Sequence, residues 1–376
     1  MLENSLGTTV GEPLHASEHS LIGRAVAQLE TPALLVDLEA MEQNLQTMAE
    51  FFRKQSAKLR PHFKNHRVID LALRQLDNGA IGITCARLWQ AEKLVSAGIK
   101  NVLIANELAG ESPLRRFVEL SNHAPVLIAV DNEAVVNDMA RLARNQRTQV
   151  SVVVDLDLGL KRCGVTSAEA AVLLARTVVQ QGLKFAGIMG YEGHLQPLPP
   201  GPEKEEGVRE AMQRLIVTKQ QMEATGIPVN VVSCGGTGDY RVAGNFPGVT
   251  ENQAGSYLLM DTWYAPFAPD FRPSLSVLAN IISKTAGERI VVDAGVKALS
   301  GERGLPSVKN IPGLKLKALH AEHAPIEIVD AHVPVAVGDK IEISVHYHDG
   351  TIQLHRRMYG IRGGQVERIF MIEHGD

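Results

Sequence analysis

The sequence has few cysteines and no long apolar run, and each shortage excludes a class of protein. Its 376 residues include three cysteines, Cys85, Cys163 and Cys234, and no Cys-x-x-Cys pair. Neither a disulfide framework nor a cysteine-rich zinc site is therefore expected, and reduced thiols favour a cytoplasmic protein. No apolar run reaches the roughly 18 residues of a membrane span, so no membrane is expected as a partner. Residues 1–30 lack the apolar core of a secretory signal and are interpreted as a loose or partner-clasping arm.

The sequence also lacks a large excess of charge of either sign. The chain carries 38 basic and 42 acidic residues, for a net charge of −4, and no basic cluster stands out. Because nucleic-acid-binding proteins need a concentrated positive surface, nucleic acid is not expected as a partner. Hydrophobic residues make up 45% of the chain, which is enough for one large domain and a smaller second one.

Short β-branched runs alternate with helical patterns over the first 270 residues. The strand-like runs are 33–37, 59–63, 81–84, 101–105, 126–130, 150–156, 184–189, 229–232 and, more weakly, 251–258. Helical periodicity covers 41–52, 68–76, 88–97, 134–145, 167–181 and 203–225. The strands are apolar on both faces, as in a parallel sheet covered by helices, and about eight such units favour a closed (β/α)8 TIM-like barrel. An open doubly wound sheet is the alternative, although no G-x-G-x-x-G motif opens its first helix.

The pattern changes after residue 270, where long helical stretches give way to short alternating strands. These strands are predicted at 275–283, 289–292, 326–329, 340–345, 357–361 and 366–371. Gly363-Gly364, between the last two, indicates a hairpin turn. The predicted organisation is an arm over 1–30, a barrel over 31–270 and an antiparallel β domain over 271–376, with 33–37 as a strand that could join the β domain instead.

The first candidate motif ends the first predicted barrel strand and reads Arg60-Pro61-His62-Phe63-Lys64-Asn65-His66. A lysine at such a strand end points into the barrel mouth, where the active sites of this architecture lie. If it is desolvated there, its pKa falls and its amine becomes a competent nucleophile toward a carbonyl group. The alternative is a solvated loop lysine between two histidines.

Two glycine-rich segments lie after the seventh barrel strand and at the eighth. They read Ser233-Cys234-Gly235-Gly236-Thr237-Gly238 and Gln253-Ala254-Gly255-Ser256-Tyr257. Glycines let backbone N–H groups approach an oxyanion closely, and these two strand ends are the usual phosphate site of such barrels. Two tight turns without a ligand are the alternative.

Two further barrel loops carry candidate functional side chains. Arg162 lies in a glycine-flanked loop and could contact an anion or a ring oxygen, although a plain surface loop is the alternative. Tyr191 could stack on a ring or hydrogen-bond to it. His194 could act as an acid or a base near neutral pH.

A third polar cluster, residues 346–349, lies in the predicted β domain. On a strand, residues two apart share a face, so His346 would pair with His348 and Tyr347 with Asp349. Two histidines on one face form a plausible metal site, whereas a polar strand end is the alternative.

Taken together, these motifs resemble the family of D-threonine aldolase and D-serine dehydratase. Its members are fold-type III pyridoxal-phosphate (PLP) enzymes, built like alanine racemase. The resemblance extends from residue 31 to the C-terminus. The matching segments are 60–66, 106–107, 162–164, 235–238, 253–257, 260–261, 293–297 and 322–323. The family is typically homodimeric, with the β domain of one chain over the barrel of the other, so a homodimer is expected.

The resemblance also implies roles for individual residues. Lys64 would bind PLP covalently, and the predicted catalytic residues are Lys64, His66, Tyr191 and His194. The other predicted cofactor contacts are His62, Arg162, Tyr191, Gly236, Thr237, Gly238, Gly255, Ser256 and Tyr257.

The family also uses a divalent metal (Mn, Mg or Zn), which is usually held by His-x-Asp or His-x-Cys. In an ungapped register Tyr347 occupies the histidine position and Asp349 the second ligand position. The predicted ligands are His348, Asp349 and Tyr347, with His346 as a further candidate. The alternatives are a one-residue slip, a different ligand set or loss of the metal.

The resemblance implies a PLP-dependent lyase with a small-molecule amino-acid substrate. Asp349, at a position where cysteine marks the dehydratases, favours retro-aldol cleavage of D-3-hydroxy amino acids, such as D-threonine or D-3-hydroxyaspartate, to glycine plus an aldehyde. Dehydration of D-serine or D-3-hydroxyaspartate is the first alternative. An amino-acid racemase with Tyr347 as its second base is the next.

Two other classes fit less well. Non-catalytic PLP-binding barrels lack a C-terminal β domain, and a metal-dependent hydrolase would need its ligands at the barrel strand ends. The loops over 195–202 and 263–267 are expected to line the end of the pocket that receives the substrate side chain.

Overall fold

Two eight-stranded sheets organise the structure, one parallel and one mostly antiparallel. The computed structural model describes residues 21–285 and 288–375. Its helices are α1 (Leu38–Arg53), α2 (Ile69–Asp77), α3 (Leu88–Ser96), α4 (Glu111–Leu120), α5 (Glu133–Gln146), α6 (Ala168–Gln180), α7 (Pro202–Ala224), α8 (Tyr240–Ala243) and α9 (His348–Ile352). Its strands are β1 (Ala33–Asp37), β2 (Lys58–Leu59), β3 (Ile83–Cys85), β4 (Val102–Ile104), β5 (Val126–Val130), β6 (Ser151–Leu156), β7 (Lys184–Gly190), β8 (Val231–Cys234), β9 (Glu251–Asn252), β10 (Leu275–Thr285), β11 (Arg289–Val292), β12 (Leu314–Leu316), β13 (Ala324–Ile328), β14 (Lys340–Ser344), β15 (Arg357–Arg362) and β16 (Gln365–Met371).

The parallel sheet forms the barrel, with the strand order β2-β9-β8-β7-β6-β5-β4-β3. Two backbone hydrogen bonds close the ring. The Phe63 N–H donates to the Thr84 carbonyl (2.7 Å), and the Thr84 N–H donates to the Pro61 carbonyl (2.9 Å). Consecutive residues such as Val152 and Val153 are both fully buried, because side chains inside the barrel and helices outside it cover both faces. The predicted (β/α)8 barrel is confirmed.

The second sheet forms the β domain, and it has the order β12-β13-β11-β10-β1-β15-β16, with β14 paired to β10. Strand β1 lies in this sheet, antiparallel to β10 and parallel to β15. The predicted hairpin is confirmed, since Gly363 and Gly364 both have positive φ (56° and 74°) between the paired residues Arg362 and Gln365.

The described part of the predicted arm, residues 21–30, packs on the β domain. The Gly23 N–H donates to the Val366 carbonyl (2.8 Å), and Leu29 is buried. Residues 1–20 of the predicted arm lie outside the described residues. None of the described helices combines the length and the apolar character that a membrane span requires.

A buried ion pair holds the barrel together where its ladder is shortest. Strands β2 and β9 have two residues each, and Arg60 directly follows β2. Its guanidinium donates to both carboxylate oxygens of Glu251 (2.8 Å each) and to the carbonyl of Asn101 (2.6 Å). Because both side chains are almost completely buried, the charges compensate each other out of water.

We predict that Arg60→Met lowers the free energy of unfolding by about 3–5 kcal/mol, because it leaves the Glu251 carboxylate buried and unpaired. Urea unfolding followed by circular dichroism measures the change. Arg115→Met is the control, because it removes an exposed pair with Glu111 that contributes less than about 1 kcal/mol. Equal effects of the two substitutions would contradict this role for Arg60.

Candidate active site

The barrel mouth opens into a cavity of about 550 Å³ between the barrel and the β domain. Eleven of the residues that line it are predicted site residues, namely His62, Lys64, Arg162, Tyr191, Gly236, Thr237, Gly255, Ser256, Tyr347, His348 and Asp349. The structure therefore brings together most of the motifs that the sequence analysis identified. Trp263, Gln196 and Pro197 also line it, from the two loops expected near the substrate side chain.

Lys64 reaches the cavity because the chain turns sharply after β2. The Arg67 N–H donates to the Phe63 carbonyl (2.9 Å), and Arg67 has a positive φ of 52°. Within this turn Lys64 is exposed to the cavity, whereas Asn65 is buried. The Asn65 side-chain amide donates to Asp349 Oδ1 (2.9 Å), which connects this turn to the β domain.

His62 lies beside Lys64 and accepts a hydrogen bond from the Lys64 backbone N–H at its Nδ1 atom (3.4 Å). Burial lowers the pKa of His62 well below its ordinary value, and the positive charges of Lys64 and Arg162 lower it further. His62 is therefore a neutral imidazole near neutral pH.

The two glycine segments pack so closely that larger residues would not fit. A Cβ atom on Gly235, whose φ is +80°, would lie 2.0 Å from Asn252 Nδ2. A Cβ atom on Gly255 would lie 2.7 Å from the His62 carbonyl oxygen. The Tyr257 N–H donates to Thr237 Oγ1 (3.0 Å), so the two segments support each other. We call residues 235–237 and 255–256 the glycine cradle.

Two predicted cofactor contacts lie behind the cradle instead of on the cavity wall. The Gly238 N–H donates to Gln196 Oε1 (2.9 Å) and to the Tyr264 hydroxyl (3.1 Å). Tyr257 is fully buried, and its hydroxyl accepts a hydrogen bond from Gln75 Nε2 (2.9 Å).

Arg162 and Tyr191 lie together on the barrel side of the cavity. The Arg162 guanidinium is 5.7 Å from the centre of the Tyr191 ring, within range of a cation–π contact. Burial raises the pKa of Tyr191, and the charge of the nearby Asp239 carboxylate raises it further. The phenol therefore keeps its proton and can donate a hydrogen bond.

The structure places neither predicted catalytic histidine on the cavity wall. His66 is fully buried, with Nε2 3.3 Å from Gln75 Oε1 and Nδ1 accepting from the Val68 N–H (3.1 Å). Burial lowers the pKa of His66 to about 4. His194 is exposed and packs against Gly159.

The prediction that residues 346–349 form a strand is wrong. Strand β14 ends at Ser344, and helix α9 begins at His348. His346 lies between the end of that strand and the start of that helix, so the two-residue alternation of a strand does not apply to His346 and His348. His346 Nδ1 instead lies 2.9 Å from Thr262 Oγ1, and His346 does not line the cavity.

His348 and Asp349 form a polar pair on the β-domain wall. The Asp261 carboxylate accepts from the His348 backbone N–H (2.8 Å) and also contacts His348 Nδ1. The buried Nε2 atom has no hydrogen-bond partner among the described residues, and it lies 3.5 Å from Asp349 Oδ1. An imidazole held by a carboxylate on one nitrogen, with the other nitrogen beside a second carboxylate, fits a divalent metal ion.

A buried pair of acids supports the cradle from behind. Asp239 accepts hydrogen bonds from the Gly236 N–H (2.8 Å) and from the Gln196 side-chain amide, so it is the ionised partner. Glu192 is fully buried beside it, and neither of its carboxylate oxygens has a donor partner in the described chain. Burial and the Asp239 charge raise the pKa of Glu192 well above its ordinary value, so Glu192 holds a proton.

Several residues that complete the site were not among the predicted ones, chiefly Asn65, Asp261, Asp239 and Arg303. Asn65 lies inside the first motif, and Asp261 follows an apolar run directly after the second cradle segment. A polar residue next to a buried motif was the available signal for both. Nothing in the sequence indicates that Asp261 contacts His348, since 87 residues separate them.

The barrel, the lysine at its mouth and the glycine cradle define the class of alanine racemase-like PLP enzymes. The family described as alanine racemase, N-terminal domain, matches residues 36–262, and a putative serine dehydratase domain matches residues 274–361. D-threonine aldolase from Arthrobacter sp. is 33% identical over 357 residues, which is 93% of this chain and 94% of that protein. 3-Hydroxy-D-aspartate aldolase from Paracoccus denitrificans (strain Pd 1222) is 30% identical over 94% of both chains.

Among solved structures, D-threonine aldolase from Filomicrobium marinum superimposes with a TM-score of 0.89 at 33% identity, covering 93% of this chain and 97% of that one. The chain belongs to the D-threonine aldolase and D-serine dehydratase family of alanine racemase-like proteins.

We predict that Glu192→Gln changes the pH dependence of stability. Above pH 4.5, the ordinary pKa of a glutamate, the unfolded chain releases the proton of Glu192, whereas the folded protein keeps it. Rising pH therefore favours the unfolded chain, and the free energy of unfolding falls. The loss amounts to about 1.4 kcal/mol per pH unit until the raised folded pKa is reached. Glutamine keeps a donor for Asp239 and removes the titration.

Urea unfolding at several values between about pH 5 and pH 8 measures this difference. The free energy of unfolding of Glu192→Gln should rise relative to that of the wild type as pH increases. Glu206→Gln, an exposed position on α7, is the control and should follow the wild type at every pH. A parallel course of Glu192→Gln and wild type would show that Glu192 is ionised when folded.

Proposed function

We propose that the protein is a PLP-dependent lyase that cleaves the Cα–Cβ bond of D-3-hydroxy amino acids, giving glycine and an aldehyde. The observation that carries the proposal is the arrangement across the cavity. Lys64 lies on the barrel wall, the pair His348 and Asp349 lies on the β-domain wall, and Asn65 connects them through its hydrogen bond to Asp349 (2.9 Å). A substrate amine and a substrate β-hydroxyl can thus be held at the same time.

The residues around Lys64 fit PLP. The glycine cradle, with the hydroxyls of Thr237 and Ser256, is suited to the phosphate, because close backbone approach is what a phosphate site needs. Arg162 and the protonated Tyr191 phenol are placed to bind polar atoms of the pyridine ring. PLP bound there supplies an electron sink for the electron pair left on Cα when a bond breaks.

The pair His348 and Asp349 would hold the divalent metal, Mn, Mg or Zn. An ion there supplies polarisation of the substrate β-hydroxyl. Asp261 fixes the His348 ring so that Nε2 faces Asp349. This pair replaces the alternatives that used His346 or a shifted strand.

The reaction requires two proton transfers. The β-hydroxyl gives up its proton as the Cα–Cβ bond breaks, and Cα later receives one, so that the products are glycine and an aldehyde. His62 is a neutral imidazole that lines the cavity, and its Nδ1 atom accepts the Lys64 backbone N–H, so we assign it a role in positioning the turn that carries Lys64. His66, whose pKa burial lowers to about 4, also supports the turn through Gln75 and Val68.

A dehydratase is the second candidate, because residues 274–361 match a putative serine dehydratase domain. In that reaction the Cα–H bond breaks, the β-hydroxyl leaves, and hydrolysis of the resulting imine gives ammonia and an oxo acid. Both reactions need the same groups on both walls. We place cleavage first because a carboxylate, Asp349, accompanies His348.

The proposals on assembly and location rest on the family and on surface chemistry. We propose a homodimer, consistent with the exposed apolar side chains Val296, Leu305 and Val329 of the β domain. A cytoplasmic location is consistent with the three free cysteines.

The test is an analysis of products from the PLP-saturated protein with Mn²⁺ and D-threonine. Cleavage predicts equal amounts of glycine and acetaldehyde, whereas ammonia and 2-oxobutanoate would establish the dehydratase instead. Exchange of the α-proton of D-alanine in deuterated water, with neither set of products, would indicate a racemase.

The same assay tests the proposed metal pair. His348→Ala removes the imidazole that faces Asp349, and we expect kcat/KM to fall at least about 100-fold, because metal polarisation contributes several kcal/mol. His346→Ala is the matched control two residues away, and it should change the rate by much less. If the two variants lose the same activity, the metal does not bind at His348.

A further inference from the structure

One group in the cavity has no role in the reaction described above. Arg303 lies in the loop that follows β11, at the β-domain end of the cavity wall. Its guanidinium carbon is 4.8 Å from the centre of the Trp263 ring and 5.4 Å from that of the Tyr347 ring. Two aromatic rings therefore hold a cation at the cavity surface.

The position of Arg303 follows from that of the metal pair. Tyr347 directly precedes His348, and the Trp263 and Tyr347 rings touch edge to face with their centres 6.1 Å apart. A substrate whose β-oxygen lies at His348 and Asp349 carries its other Cβ substituent two bonds from that oxygen. In one orientation of the substrate that substituent faces Trp263, Tyr347 and Arg303, and in the other it points into the open cavity.

The charges of the cavity wall favour anionic ligands. Four basic side chains line it, namely Lys64, Arg87, Arg162 and Arg303, against the single carboxylate of Asp349. A PLP phosphate and a substrate α-carboxylate account for two anionic groups. Arg303 contacts the Tyr347 side chain through a hydrogen bond, but no carboxylate of the described residues forms an ion pair with it, so its charge is available to a third anion.

We propose that Arg303 binds a carboxylate carried on Cβ of the substrate, and that the enzyme therefore prefers D-3-hydroxy amino acids with an acidic side chain. This inference rests on the proposed lyase function. D-3-hydroxyaspartate is the smallest such substrate, and its cleavage between Cα and Cβ gives glycine and glyoxylate. The planar guanidinium offers two parallel N–H donors to a carboxylate, and its ring contacts limit the freedom that it loses on binding.

An apolar or aromatic substituent is the competing occupant, since Trp263 and Tyr347 would suit it. Arg303 already covers the faces of both rings, so an apolar substituent would have to displace a cation or lie against it. A carboxylate needs no such displacement, because it approaches the edge of the guanidinium.

The experiment compares kcat/KM for D-3-hydroxyaspartate with kcat/KM for D-threonine in the PLP-saturated, Mn²⁺-supplied enzyme. We expect the wild type to prefer D-3-hydroxyaspartate. Arg303→Met should reduce this preference about 10- to 100-fold, the range expected for one charge-assisted contact. Arg303→Lys should keep part of the preference, because it retains the charge without the planar fork.

Arg176→Met is the matched control. It removes the same charge from an exposed position on α6, outside the cavity, and so reports any effect of net charge alone. It should leave the substrate preference at the wild-type value. A wild-type preference for D-threonine, or an equal loss of both activities in Arg303→Met, would overturn the role of Arg303.

A binding measurement separates this inference from the proposed function. D-aspartate and D-2-aminobutyrate lack the β-hydroxyl and cannot be cleaved between Cα and Cβ. Their dissociation constants follow from the change that each produces in the cofactor absorbance. Tighter binding of D-aspartate, lost in Arg303→Met and kept in Arg176→Met, supports the inference even if neither hydroxy amino acid is cleaved. Equal binding of the two compounds by the wild type would contradict it whatever the reaction is.

Discussion

The ion pair between Arg60 and Glu251 joins the two ends of the barrel, and the position of the site depends on it. Strands β2 and β9 pair at two positions, and the backbone N–H groups of residues 58, 60 and 62 donate across this seam to the carbonyls of residues 250, 252 and 254. The Arg60 guanidinium donates to both carboxylate oxygens of Glu251 at 2.8 Å, so the two buried charges compensate each other. The two residues are 191 positions apart in the sequence. Lys64 follows β2 by five residues, and Gly255 follows β9 by three. The lysine and the cradle therefore lie side by side because this seam is closed.

The rest of the site is built by contacts between distant segments. Glycine at 235 and 255 lets the cradle pack against Asn252 and His62, and the buried acids Glu192 and Asp239 hold it from behind. On the opposite wall, Asp261 fixes His348, and Asn65 reaches Asp349 from the turn that carries Lys64. The proposed cofactor site and the proposed metal pair thus share a cavity because the barrel and the β domain hold each other's polar groups.

Much of this was predictable from the sequence. Barrel strands such as β6 are apolar on both faces and could be identified from the sequence. Lys64 and the glycine segments lie at strand ends, where the active sites of such barrels are found. Helix α4 was not predicted, because Gly110 and Pro113 disfavour a helix when they lie in its interior. Here both residues lie at the helix start, where a proline does not disrupt the hydrogen bonds of the helix. The orientation of His348 could not be predicted, since it depends on Asp261. His66 and His194 were predicted to be catalytic but do not line the cavity, because the packing of the folded chain decides which histidine faces it.

Every role proposed for the cavity depends on Lys64 being the residue that binds PLP. Borohydride reduction of the PLP-loaded protein, followed by proteolysis and mass spectrometry, tests it most directly, because reduction makes the bond between lysine and cofactor permanent. The reduced cofactor should lie on the peptide that contains Lys64, and Lys64→Ala should carry no such adduct. An adduct on another lysine, or none in wild-type protein supplied with PLP, would contradict it and leave the barrel without its assigned chemistry.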